Sequence, residues 1–303
     1  MKRFRGKNYQ KSNIVKIIVY VMIFVLLFMY AINKLFYSDS LLLLTRNNTF
    51  LPFVSSSIRP ENVFMNIHGD DVYDYTSYEA VTNIIENNDY NSSIIEKPIV
   101  YLYNTHQLET YNDELFENYN IKPNVMMMSY YLSDLLNRKG ISTIVEDSSV
   151  SKVLKKNKWL YKESYKVTRG FLENAKKEYP SLKYFIDLHR DSSIREKTTI
   201  NMNNKNYARI LFIVGLENNN YKYNLEMTTK INNEIKNINP DLSRGIYKKS
   251  GPGVNGIYNQ DFDKNVILIE MGGQYNLVNE VTNTLDLLSE IIFEYIRNDN
   301  YGK

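Results

Sequence analysis

The chain of 303 residues contains no cysteine, which excludes thiolate catalysis, Cys-based zinc knuckles, iron-sulfur clusters and disulfides in one step. Histidine is scarce as well. His68, His106 and His189 supply all the imidazole, so a protein-held metal must draw on them together with aspartate and glutamate. No G-x-S-x-G segment occurs, which speaks against a serine hydrolase elbow. The opening stretch lacks acidic residues, whereas Lys2, Arg3, Arg5, Lys7, Lys11 and Lys16 gather there; without those six, the 37 basic residues fall below the 34 acidic ones. A body so balanced shows no clustered positive face for neutralising phosphates, and nucleic acid is not the expected partner. A hydrophobic share of 43% with 23% charged residues excludes disorder as the main state.

From Ile14 to Phe36 the chain is apolar except for Lys16, Asn33 and Lys34 near the two ends, where long side chains can reach the interface. This predicts one spanning helix, and the cations before it place residues 1–13 in the cytoplasm and the rest outside. The run is long for a cleaved signal peptide, and Tyr37 to Ser40 offers no small-x-small cleavage site. The expected location is the cell membrane, single-pass, with the lipid bilayer as one partner. Residues 37–95 read as a stalk with little regular structure beyond a helix near Tyr78 to Glu86, and His68 falls in a turn signal within it.

From about residue 96 the pattern changes to short β-branched or aromatic runs alternating with longer segments of helical period, which predicts an α/β domain over residues 96–303. Strands are expected at Ile99 to Tyr103, Ile141 to Val145, Tyr184 to Leu188, Ala208 to Val214 and Val266 to Glu270. Pro123 is placed at the first position of a helix burying Val125, Met128, Leu132 and Leu135, which Gly140 closes. A second helix carries Val167, Phe171 and Ala175 and stops at Pro180; the last carries Val278, Val281, Leu285, Leu288, Ile292 and Tyr295. The Asn-rich stretches 201–206 and 217–240 offer no motif. Gly251 to Gly256 has dinucleotide-loop spacing without the flanking strand and helix, so it reads as a plain loop.

Three predicted strand ends carry chemistry. His106 and Glu109 follow the first, in a turn that lets residues three apart converge, as in the H-x-x-E arrangement of zinc peptidases. His189 ends another, with Asp187 and Asp191 on its side by the period of two, able to orient a metal-bound imidazole. Glu270 ends the most apolar strand and precedes two glycines. In open α/β sheets, ligands bind beyond the carboxyl ends of strands. His106, Glu109 and His189 thus form a three-ligand zinc set with one position open for water, and Glu270 is the carboxylate left to move its proton. Taken singly, His106 could equally be a hydrogen-bonded strand-end residue, and His189 part of a structural ion-pair cluster.

The ordered set Thr105-His106-x-x-Glu109-x-Tyr111, Tyr165-x-x-Thr168-Arg169, Tyr179-Pro180, Asp187-Leu-His-Arg-Asp191, Val214-Gly215, Tyr258-Asn259-Gln260 and Leu268-Ile-Glu-Met-Gly272 resembles the stage II sporulation protein P family of endospore-forming Firmicutes. The resemblance runs from about Pro98 to Ile296. It implies a zinc-dependent N-acetylmuramoyl-L-alanine amidase with a mixed sheet flanked by helices, acting on peptidoglycan and also able to cut peptide cross-links. By matching positions it implies zinc ligands His106, Glu109 and His189, the catalytic carboxylate Glu270, and Arg190 against a carboxylate of the stem peptide. It also implies engulfment as the setting, with a lytic transglycosylase, stage II sporulation protein D, and a membrane protein, stage II sporulation protein M, as partners. One departure is Asn104, where that family frequently has histidine. Two other readings stand beside it: a zinc carboxypeptidase or endopeptidase of stem peptides, and an inactive anchored wall-binding protein.

Overall fold

The computed structural model describes residues 97–113, 116 and 122–301. The basic tail, the anchor at 14–36, the stalk and His68 lie outside the described residues. Among the described residues no helix is long and apolar enough to cross a membrane.

The described chain is a mixed α/β layer structure. Its strands are β1 (Val100–Tyr103), β2 (Thr143–Val145), β3 (Tyr184–Asp191), β4 (Thr199–Met202), β5 (Lys205–Ala208), β6 (Ile210–Gly215), β7 (Ser243–Lys249) and β8 (Val266–Gly273). Its helices are α1 (Val125–Arg138), α2 (Val150–Asn157), α3 (Ser164–Glu178), α4 (Arg195–Thr198), α5 (Tyr221–Ile238) and α6 (Val278–Tyr301). Six strands form one sheet in the order β2-β1-β3-β8-β6-β7, and β4 and β5 make a separate pair. The first four run parallel, while β6 is antiparallel to β8 and parallel to β7. An α/β layer structure is what the alternation of short apolar runs and helical segments predicts, and the mixed sheet flanked by helices is what the resemblance implies.

Alternation along the strands assigns the faces. Tyr101, Tyr103 and Phe185 meet Leu172 and Ala175 of α3 in one buried cluster, so odd-numbered positions of β1 and β3 look toward α3. Even-numbered positions look the other way: Asn104 accepts a hydrogen bond from Ser129 of α1, and the Tyr184 ring lies edge-on to Tyr295 of α6. The parallel strands are buried on both faces, which explains their continuous apolar runs.

Several boundaries differ from expectation. Pro123 is not the first helical residue; Asn124 caps α1 by accepting from Met127 N, and the proline precedes the cap. Gly140 does close α1, at φ +81, with its N–H donated to Asn137 O. Met126, Met127 and Met128 are core. The second strand begins at Thr143, because Asn137 takes Thr143 N and O through its side chain and ends the turn there. The Asn-rich stretches turn out to be structural. Asn203 and Asn204 both have positive φ and close the β4–β5 hairpin in the manner of a primed turn. In α5, the buried Asn224 donates to Asp263 O, Lys264 O and Val266 O.

Candidate metal centre

β1 ends at Tyr103, paired with Asp187, while β3 runs on to Asp191. The β1-facing edge of β3 therefore has backbone groups without a strand partner beyond that point, and such groups must be satisfied. Asn104 Nδ2 donates to Leu188 O at 2.6 Å, and Arg190 N donates to Glu109 Oε2 at 3.0 Å. The turn after β1 is thereby fastened across β3, with Glu109 N donating to His106 O at 3.0 Å. The same turn is tied outward by Gln107, whose amide donates to Ser148 O and accepts from Val150 N at the start of α2. Asn104, the departure from the family pattern, thus staples the turn.

This brings three expected ligands together. The rings of His106 and His189 lie with centroids 5.2 Å apart and nearly perpendicular, and Glu109 Oε2 is 3.4 Å from His189 Nδ1. His189 Nε2 lies 2.9 Å from Asp187 Oδ1. Asp187 is fully buried and is itself held by Thr105 N at 2.9 Å and Thr105 Oγ1 at 2.6 Å. The chain of contacts continues from Thr105 Oγ1 to Thr168 Oγ1 at 3.1 Å and from Asn259 Nδ2 to that same Thr168 oxygen at 3.0 Å. Asn259 adopts positive φ, as does Tyr258 before it, a backbone cost of the kind that collects at functional sites.

Glu270 pairs in register with His189. Its Oε2 is buried with no hydrogen-bond partner. Burial, and then the neighbouring carboxylates of Glu109, Asp191 and Asp187 against the opposing pull of His189, push its carboxyl up to about 7. Glu109 is held below the usual range; burial works the other way, but the hydrogen bond and charge of His189 prevail. Burial would depress His189, yet the facing Asp187 and Glu109 keep it well above its ordinary value. His106 is lowered by burial and by His189, which favours the neutral imidazole that a metal requires.

One expected role changes. Asp191 does not orient His189: the register shifts between the two, and the carboxylate binds Arg244 at 2.6 Å and Ser193 at 2.8 Å. Arg190 is half-buried with Nε donated to Thr110 O at 3.0 Å, so its backbone N–H serves Glu109 while its guanidinium braces the following residue. Tyr161, which carries no sequence signal, stacks on His106 at 4.6 Å, and Tyr165 meets His106 edge-on at 5.7 Å. Thr105, Thr168 and Asn259 were visible only as members of the ordered motif set.

Among the described residues no three His, Asp or Glu side chains stand ready-made as a metal cage. The donor set nevertheless fits zinc. Two imidazoles and a carboxylate are a donor set that zinc takes. Orphaned buried atoms lie here too, with His106 Nδ1 and Glu270 Oε2 both unsatisfied. Buried polar atoms without partners call for an ion or water to complete them.

The family model described as stage II sporulation protein P matches residues 60–293, reaching into the segment read as a stalk. The stage II sporulation protein P of Bacillus subtilis (strain 168) is 30% identical over 206 residues, covering 66% of this chain and 51% of that protein. This chain thus matches about half the length of that curated relative. Among solved structures, Cwp6 from Clostridium difficile aligns with a TM-score of 0.41 at 12% identity, over 69% of this chain and 30% of that one.

Proposed function

The chain belongs to the stage II sporulation protein P family, and from that premise we propose that it is a zinc-dependent peptidoglycan hydrolase. The bond cut is the amide between N-acetylmuramic acid and L-alanine, in sporulation engulfment. The observation that supports this most is the convergence of His106, Glu109 and His189 beside Glu270, whose Oε2 is buried and unpartnered.

His106, Glu109 and His189 would hold the metal. Zinc, when bound, supplies a water acidified to a pKa of about 7 and polarises the scissile carbonyl. Asp187 fixes the ring plane of His189, and Thr105 fixes Asp187. Glu270 accepts the proton of the attacking water and delivers it to the departing amine, a role open to a carboxylate with no standing hydrogen bond of its own. Arg190 keeps Glu109 in place through its backbone and turns its remaining guanidinium N–H groups to a stem-peptide carboxylate. The apolar run Ile14 to Phe36 anchors this unit on the outer side of the membrane, so the enzyme acts on wall close to the bilayer. Carbonate extraction of the full chain from membranes tests the anchor.

Metal analysis of the purified full-length chain tests the centre. About one zinc per chain is expected, lost in His189→Ala. An active, folded chain without bound metal would overturn the ligand assignment.

A further inference from the structure

The segment from Val150 to Gly170 carries six exposed lysines, Lys152, Lys155, Lys156, Lys158, Lys162 and Lys166. Its one acidic residue, Glu163, spends its carboxylate on Leu160 N at 2.8 Å. None of the six lysines has an ion-pair partner among the described residues. The fold gathers them on one corner: α2 packs on α3 through Val150, Leu154 and Val167, with Trp159 and Phe171 against them. Lys158 closes α2 with positive φ, and the chain then turns so that Leu160 and Tyr161 are 64% and 58% exposed. Lys166 Nζ sits 3.8 Å over the Trp159 ring. A positive face that the overall charge balance conceals is therefore present, and it is local.

This corner is joined to the candidate metal centre by two short contacts. Tyr161 stacks on His106 at 4.6 Å, and Gln107, the residue after His106, holds the first turn of α2 through Val150 N and Ser148 O. A polymer lying across the centre would pass onto the lysines.

We infer that the lysine-bearing corner of α2 and the link to α3 is an extended subsite for the peptide-substituted glycan strand. The lysines receive the free carboxylates of its stem peptides, and the exposed Tyr161 face lies under the strand next to the cut bond. This rests on the proposed substrate and deepens it. Ammonium groups without ion-pair partners are the natural complement of repeated carboxylates. A lipid surface fits less well, because a bilayer lying flat on this corner would close the Tyr161 side of the centre, and Leu160 is the single exposed aliphatic side chain between the two helices.

The test is cosedimentation of the full-length chain with purified insoluble peptidoglycan, for the parent, for Lys155→Glu/Lys156→Glu/Lys158→Glu, and for a charge-matched control, Lys205→Glu/Lys222→Glu/Lys236→Glu, with folding checked by circular dichroism. The corner variant should bind about tenfold more weakly, three exposed pairs being lost, and the control should bind like the parent. Peptidoglycan with its carboxylates chemically amidated should bind the parent as weakly as the corner variant binds native wall. Added salt should narrow the gap. Single Lys155→Gln and Lys156→Gln exchanges serve if the triple variant fails to fold. Equal weakening by the control, undiminished binding to amidated wall, or a loss confined to anionic phosphatidylglycerol vesicles or duplex DNA would overturn the inference. Chain that binds through the lysines yet releases no product would instead contradict the proposed reaction and leave the surface standing.

Discussion

His189 of β3 and Glu270 of β8 are register partners on adjacent parallel strands, so their side chains leave the sheet on the same face. One candidate ligand and one candidate proton carrier are thereby fixed by sheet hydrogen bonding and not by a loop. Rigid strands give such a pair the positional accuracy that catalysis demands.

The two carboxylates of the centre should respond differently to the same chemical change. Glu270→Gln removes a proton acceptor without removing a ligand, so zinc content and fold should persist. Turnover should fall by about 10² to 10⁴, the usual worth of general acid-base catalysis. Glu109→Gln should weaken zinc binding, with activity partly restored by added zinc. Chelator competition and steady-state rates on isolated wall measure both; the opposite assignment of metal loss would exchange the two roles.

Asp187→Asn probes the layer behind the ligands. Because Asp187 lies at His189 Nε2 and is held by Thr105, its amide should cost about 10- to 100-fold in metal affinity. Competition with a zinc indicator reads this directly. Unchanged affinity would remove Asp187 from the account.

Much of this arrangement was legible in the sequence. The apolar runs marked five strands of the six-stranded sheet, and the residues at three of their ends do meet in space. The missing strand, β7, is an edge strand with exposed Tyr247 and Lys248, and its pairing with β6 depends on contacts that a local pattern does not carry. In α5, Asn224 and Asn232 occupy buried positions, where loop carbonyls accept the Asn224 Nδ2–H groups and Ser243 donates to Asn232 Oδ1; composition alone shows no such role. Asp191 was misassigned for a related reason. The period of two fails where the register shifts after His189, and Arg244 from β7 claims the carboxylate.

Leu132 is fully buried in α1, against the sheet face opposite the centre. Leu132→Ala should lower unfolding free energy by about 2–5 kcal/mol, read from the urea midpoint, while leaving zinc stoichiometry in the folded fraction unchanged.

Asp299 near the end of α6 supplies a pH-linked element away from the centre. Hydrogen bonds from Lys183 at 2.7 Å and Tyr184 at 2.6 Å hold its carboxyl below the usual range, against a smaller opposing effect of burial. A lowered folded value means that the stabilisation is complete above the ordinary carboxylate pKa of about 3.9. It is lost as pH falls through the lowered value. The pair is partly exposed, so the effect is small; Asp299→Asn should flatten the acid limb of the melting temperature against pH and change little at neutrality.

The bond that is cut can be read directly from the products. Full-length chain incubated with purified peptidoglycan, with and without a zinc chelator, should release glycan strands free of peptide and expose new L-alanine amino termini in stoichiometric amounts, both abolished by the chelator and restored by zinc. New amino termini at other stem residues with none at L-alanine, or release that continues unchanged in the chelator, would contradict the proposed cleavage.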